Sequence, residues 1–164
     1  MSHGKQFTLY THVGGPNGWK VAILCDFLGL TYESIYLNFQ EGDQKKPDHV
    51  KLNPNGRIPT IIDHKNNDFV LWESNAILQY IVDKYDTEKK LAVTEEGDKY
   101  KLLQWLFFQS SGQGPYYGQG SLVQHVPPRE DPKCYREIPE GGPSCPWAYS
   151  RVFCLSKSGS LATS

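Results

Sequence analysis

Pro59-Thr60-Ile61-Ile62-Asp63, then His64-Lys65-Asn66-Asn67-Asp68, then Phe69-Val70-Leu71-Trp72, and then Glu73 to Tyr85 (ESNAILQYIVDKY) form the stretch that decides the fold. The first and third pieces are β-branched and aromatic runs of strand length. The five residues between them are polar and turn-forming, so the two runs read as a hairpin. The last piece sets Ile77, Leu78, Ile81 and Val82 at helical spacing, which predicts an amphipathic helix with one apolar face.

Upstream, Gln44 to Leu52 reads as a short helix whose start is limited by Pro47. Tyr32 to Phe39 alternates and reads as a strand. Trp19 to Leu28 carries apolar residues at helical spacing, with Pro16 suited to a first helical position and Gly29 to the close. Gln6 to Tyr10 is a further β-prone run, broken by Gly14-Gly15-Pro16-Asn17-Gly18. The order is therefore βαβαββα: an α/β domain with a mixed four-stranded sheet over residues 5–86.

Downstream, residues 87–93 read as a polar linker. Residues 94–119 read as a helix in which Leu102, Leu103, Trp105, Leu106, Phe107 and Phe108 cluster. That helix is too apolar to stand alone in water. It reads as the first helix of an incomplete all-α domain. Residues 120–164 hold six of the eleven prolines and no sustained apolar period, so an irregular tail is expected.

Composition narrows the function. The formal net charge is −1 and the isoelectric point about 6.5, which gives no reason to expect a nucleic-acid or anionic-membrane partner. The start has no apolar segment of signal-peptide length, and no apolar run approaches the ~20 residues of a membrane helix. A cytoplasmic protein is expected. The four cysteines fit no compact zinc spacing, so no metal site is expected. Cys25, in the apolar ILCDFLGL, reads as a small buried hydrophobe.

Four blocks, PNGWKVAILCDFLGL, LNPNGRIPTIIDH, WESNAILQYIVDKY and LLQWLFFQSSGQGPYYGQ, then follow one another in a recognisable order. Together they resemble the glutathione transferases of the fungal and bacterial branch related to the nitrogen-regulatory, prion-like proteins, from about Phe7 to Gln119. The N-P-x-x-[RK]-[VI]-P and [WF]-E-S blocks are specific in combination and weak singly. The resemblance implies a thioredoxin-like fold for residues 5–86, in keeping with the element order read from the residues. It also implies glutathione as co-substrate without a further cofactor, a small electrophile or disulfide as second substrate, and a homodimer in full-length relatives.

Glutathione has a γ-glutamyl amino-acid end, a thiol and a glycyl carboxylate, and the resemblance implies residues for each. Glu73 and Ser74 hold the γ-glutamyl end; read locally, Ser74 is an ordinary helix cap beside an acid. The peptide after Ile58 is cis at Pro59, and the Ile58 backbone pairs with the cysteinyl unit; read locally, Pro59 is a trans residue opening a strand. Arg57 helps to hold the ligand, or is a surface charge. Gln44 takes the position for the glycyl carboxylate, where relatives carry histidine or another polar residue, or caps a solvated helix end. Asn17 stands nearest the sulfur, with Thr11 a second candidate; read locally, Asn17 is a turn residue beside Gly18. His12 reads as a surface residue.

The tail departs from the family pattern. A one-base shift in permitted codons for Gly120 to Pro143 yields a peptide of helical pattern that resembles the family's next segment. The expectation is a truncated chain with a frameshifted or mis-spliced tail. Three functions follow: a transferase or thiol-disulfide reductase, a non-catalytic glutathione-binding regulatory domain, or an inactive truncated product.

Overall fold

A computed structural model describes residues 4–125, with side-chain surroundings through 119. It divides into two units, Met1–Tyr100 and Lys101–Ser164. The first holds β1 (Phe7–Thr11), α1 (Pro16–Phe27), β2 (Tyr32–Tyr36), α2 (Pro47–Leu52), β3 (Thr60–Asp63), β4 (Phe69–Trp72) and α3 (Ser74–Tyr85). The sheet order is β2-β1-β3-β4. β1 runs parallel to β2, with Phe7 opposite Tyr32, and antiparallel to β3, with Phe7 opposite Asp63. β3 and β4 form the expected hairpin, with Thr60 opposite Trp72. A parallel pair needs a crossover, and α1 supplies it.

Alternation along β1 builds two layers. Phe7 and Leu9 point to one face and join Ile61, Val21, Leu24 and Cys25 of α1, and Ile77 and Ile81 of α3 in the core. Tyr10 points to the other face, where its ring meets His49 of α2 at 5.5 Å. Burial in this core pushes the Cys25 thiol up to about 12, with the Asp26 charge adding to the shift, so Cys25 packs as a hydrophobe.

Boundaries shift where side chains compete with the backbone. β2 stops at Tyr36 instead of Phe39. The Asp43 carboxylate accepts the Asn38 N–H at 2.8 Å, and Asn38 Oδ1 accepts the Gln40 N–H at 3.0 Å, which turns the chain. The helix expected from Gln44 divides at Pro47 into a 3-10 turn (Asp43–Lys45) and α2. At the far end of β3, buried Asp63 accepts hydrogen bonds from Tyr80 (2.7 Å), Tyr85 and the Lys65 N–H (3.0 Å). These bonds tie α3 to the hairpin. Burial, then Asp63, holds the Tyr85 phenol well above its usual value.

After α3, the buried Asp86 carboxylate accepts the backbone N–H groups of Lys90, Leu91 and Ala92 at 2.9, 2.6 and 2.9 Å. The linker is thus folded around one side chain. Two helices follow, α4 (Glu96–Phe108) and α5 (Gly114–His125), separated by a π-helical turn at Gln109–Gln113. Pro115 has no N–H to give the Ser111 carbonyl, and a wider turn accommodates that loss. α5 continues through His125, past the expected boundary at 119, because no proline follows Pro115 until Pro127. The rest of the tail lies outside the described residues. α4 buries none of its side chains, and Trp105 and Phe107 are exposed.

Candidate functional site

Three segments far apart in sequence meet around the start of α1. The turn from β1 is shaped by His12: its carbonyl accepts the Gly15 N–H at 2.9 Å and its Nδ1 accepts the Gly14 N–H at 3.1 Å. Its ring stacks on Phe39 at 4.5 Å, which leaves it half-buried at the surface. Pro16 then opens α1 and Asn17 is its second residue. The Asn17 amide makes no side-chain hydrogen bond among the described residues and is half-exposed. It can donate to an anion lying at the positive end of α1.

Two glycines make this turn possible by close approach. A Cβ on Gly15 would lie 2.7 Å from Ile58 Cδ1, so the turn rests on the Ile58 side chain. A Cβ on Gly18 would lie 1.8 Å from Thr11 Oγ1. Thr11 is therefore buried beneath the first turn of α1, where it supports that turn.

The second segment is the loop before β3. The Ile58-Pro59 peptide is cis. One residue earlier, the Arg57 carbonyl accepts from His49 Nε2 and from Asn53 Nδ2, both at 2.9 Å. A carbonyl only accepts, so Nε2 carries the hydrogen. Asn53 also donates to Thr60 Oγ1 at 3.0 Å and accepts the Asn55 N–H at 3.0 Å. Both side chains are buried, so the loop is fixed from behind while the Arg57 side chain stays exposed. Sequence reading passed over this clamp, because nothing local links His49 or Asn53 to Arg57.

The 3-10 turn packs against the same loop: Lys45 Nζ donates to the Asn55 carbonyl at 3.1 Å. Beside it, Gln44 Oε1 is buried without a hydrogen-bond partner among the described residues.

The third segment is the start of α3. Glu73 precedes it with φ 72° and ψ 109°, a conformation costly for a residue with a Cβ. Ser74 is 8% exposed and begins the helix. Its hydroxyl makes no hydrogen bond among the described residues. The first-turn N–H groups and this hydroxyl form a donor set for a carboxylate, with the exposed Glu73 carboxylate beside it for a cation. An amino acid's two charged groups match that pair. Lys20 of α1 reaches across to Asn75 Oδ1 at 2.9 Å, joining the starts of α1 and α3. Among the described residues no group of three His, Cys, Asp or Glu is placed to hold a metal ion. No described helix is long and apolar enough to cross a membrane.

The element order, the mixed sheet and the cis-proline loop beside the start of α1 define a thioredoxin-like domain. Residues 5–83 match the family described as glutathione S-transferase, N-terminal domain. The chain is 56% identical over 131 residues to Glutathione S-transferase 2 of Schizosaccharomyces pombe, covering 77% of this chain and 56% of that protein. It is 62% identical to the glutathione transferase URE2P6 of Phanerochaete chrysosporium, whose structure contains oxidized glutathione; the TM-score is 0.75, with 80% of this chain and 60% of that one covered. It is 36% identical, with a TM-score of 0.73, to the nitrogen regulation fragment of the yeast prion protein URE2P, with 80% and 59% covered. The chain spans about half the length of the curated relatives it matches.

Proposed function

We propose that this chain binds glutathione as co-substrate and, as part of a cytoplasmic transferase, conjugates it to small electrophiles or uses it to reduce mixed disulfides. The observation that carries this reading is the convergence of three segments. Gly15 rests on Ile58, and Lys20 bonds to Asn75, so Asn17, the Ile58-Pro59 loop and Glu73-Ser74 adjoin one another. The likeness to a structure containing oxidized glutathione supports the same ligand.

In this reading Ser74 and the start of α3 take the γ-glutamyl carboxylate and Glu73 its ammonium. The Ile58 backbone, with Pro59 behind it, takes the cysteinyl unit. Arg57 and Gln44 serve the glycyl end, where the Gln44 amide nitrogen donates to the carboxylate. Asn17 donates to the sulfur. A free thiol has a pKa near ~8.5, and lowering it by about two units needs roughly 2.7 kcal/mol in favour of the thiolate. The Asn17 amide and the α1 dipole contribute to that sum. The thiol proton leaves to solvent. The thiolate then attacks an electrophilic carbon and displaces its leaving group, or attacks a disulfide sulfur and releases the other thiolate. Thr11 supports the turn that carries Asn17. A homodimer is the expected assembly of the full-length protein.

A second reading, a glutathione-binding domain with a regulatory role and no turnover, is supported by the likeness to the nitrogen regulation fragment. One experiment separates the two. The purified chain is titrated with glutathione and then assayed with an aryl halide and with a glutathione mixed disulfide. Binding with turnover supports the transferase. Binding without turnover supports the regulatory role. No binding overturns both.

A further inference from the structure

Lys20 is a cation that joins two of the segments described above. It lies in α1, four residues from its start, and its Nζ donates to Asn75 Oδ1 in the first turn of α3. Its side chain is half-buried. Partial burial lowers its pKa from the usual lysine value, and the negative charge of Glu73 acts in the opposite direction. Asn75 follows Glu73 by two residues, so the bond to it brings the ammonium near Glu73, whose backbone is held in an unfavourable conformation. An ammonium in that position has two effects. It offsets part of the Glu73 charge, and it adds positive charge beside the helix start, where Ser74 is 8% exposed and its hydroxyl makes no hydrogen bond among the described residues.

We propose that Lys20, anchored on Asn75, is a positioning residue that lets the start of α3 hold the carboxylate of a free amino-acid end beside the acidic Glu73. The inference rests on the glutathione reading and adds a residue to it. A helix start alone attracts any anion. With Glu73 beside it, an anion lacking a cation is repelled, and Lys20 offsets part of that repulsion. Glu73 thus sets the preference for an ammonium-bearing end, and Lys20 keeps the carboxylate of that end bound next to it.

The test is calorimetric titration of the full chain and its Lys20→Met and Lys20→Arg variants with three probes. These are glutathione, its analogue amidated at the γ-glutamyl carboxylate, and its analogue amidated at the glycyl carboxylate. Lys20→Met should weaken glutathione binding about tenfold, the size of one charge-assisted hydrogen bond. The penalty for amidating the γ-glutamyl carboxylate should shrink in that variant, while the glycyl penalty stays as in the wild type. Lys20→Arg should restore most of the affinity. Thermal melting of each variant separates loss of fold from loss of binding. Wild-type affinity in Lys20→Met, or equal loss for all probes with a lowered melting temperature, overturns the inference alone. A wild-type chain that binds no probe overturns the glutathione reading with it.

Discussion

At the scale of single residues, the candidate site divides into groups offered to a ligand in the proposed reading and groups that hold them. Ser74, 8% exposed, belongs to the first. Its removal as Ser74→Ala should weaken glutathione binding by about 1–3 kcal/mol, the cost of leaving a charged partner without a donor. Titration calorimetry checks this; an unchanged affinity would make Ser74 a helix cap and nothing more. In the proposed reading Asn17 acts on the sulfur and not on overall affinity. Asn17→Ala should leave glutathione affinity within about twofold while slowing turnover about 10- to 100-fold, as expected for one hydrogen bond to an anion. The bound thiol should titrate at higher pH in the variant, read from thiolate absorbance. Asn17 and Ser74 became candidates through the family resemblance, since read locally they are a turn residue and a helix cap. His49 and Asn53 did not, since their task is to grip the carbonyl of Arg57, a contact made by folding.

At the scale of elements, sequence period revealed the hairpin, α1 and α3 well, because each pairs one apolar face with punctuating turn residues. Ends were less legible where a side chain outbid the ladder, as Asp43 does at the close of β2. The fit of α1 on β1 was hidden as well. Gly18 reads as turn chemistry beside Asn17, yet its lack of a Cβ makes room for Thr11. Gly18→Ala should therefore destabilise the domain by about 1–3 kcal/mol, the usual cost of overpacking. Combining it with Thr11→Gly should recover part of the loss, a coupling that chemical denaturation of the four variants measures. The linker carries its own pH dependence. Burial pushes the Asp86 carboxyl up, but the N–H groups of Leu91, Lys90 and Ala92 push it further down, so its pKa lies below the usual value. Its stabilisation is present above the unfolded pKa of ~3.9 and is lost as pH falls through the lower folded value. Amide exchange at residues 90–92 should speed up across that range, and Asp86→Asn should flatten the profile.

At the scale of the whole molecule, the two units differ in how much apolar surface they bury. The first encloses Phe7, Leu9, Ile61, Ile77 and Ile81 almost completely. In the second, Trp105 and Phe107 stand at 63% and 67% exposed. Burying one such side chain is worth about 1.5–3 kcal/mol, so an exposed cluster favours association. The chain should bind an environment-sensitive apolar dye, and Trp105→Glu with Phe107→Glu should reduce that binding by at least half. Dye fluorescence and light scattering check both. A chain that binds no dye and sediments as a monomer would show that this face is covered in solution.

The conformation of Glu73 has an evolutionary corollary. A glycine at that position would relieve a left-handed backbone at no steric expense, a gain of about 1 kcal/mol by the usual cost of such geometry. Selection for heat resistance and selection for ligand retention therefore pull position 73 in opposite directions. A randomised library screened only for survival after heating should enrich glycine there. The same library screened on immobilised glutathione should return glutamate, and the divergence between the two pools would measure how much robustness the molecule forgoes for its ligand.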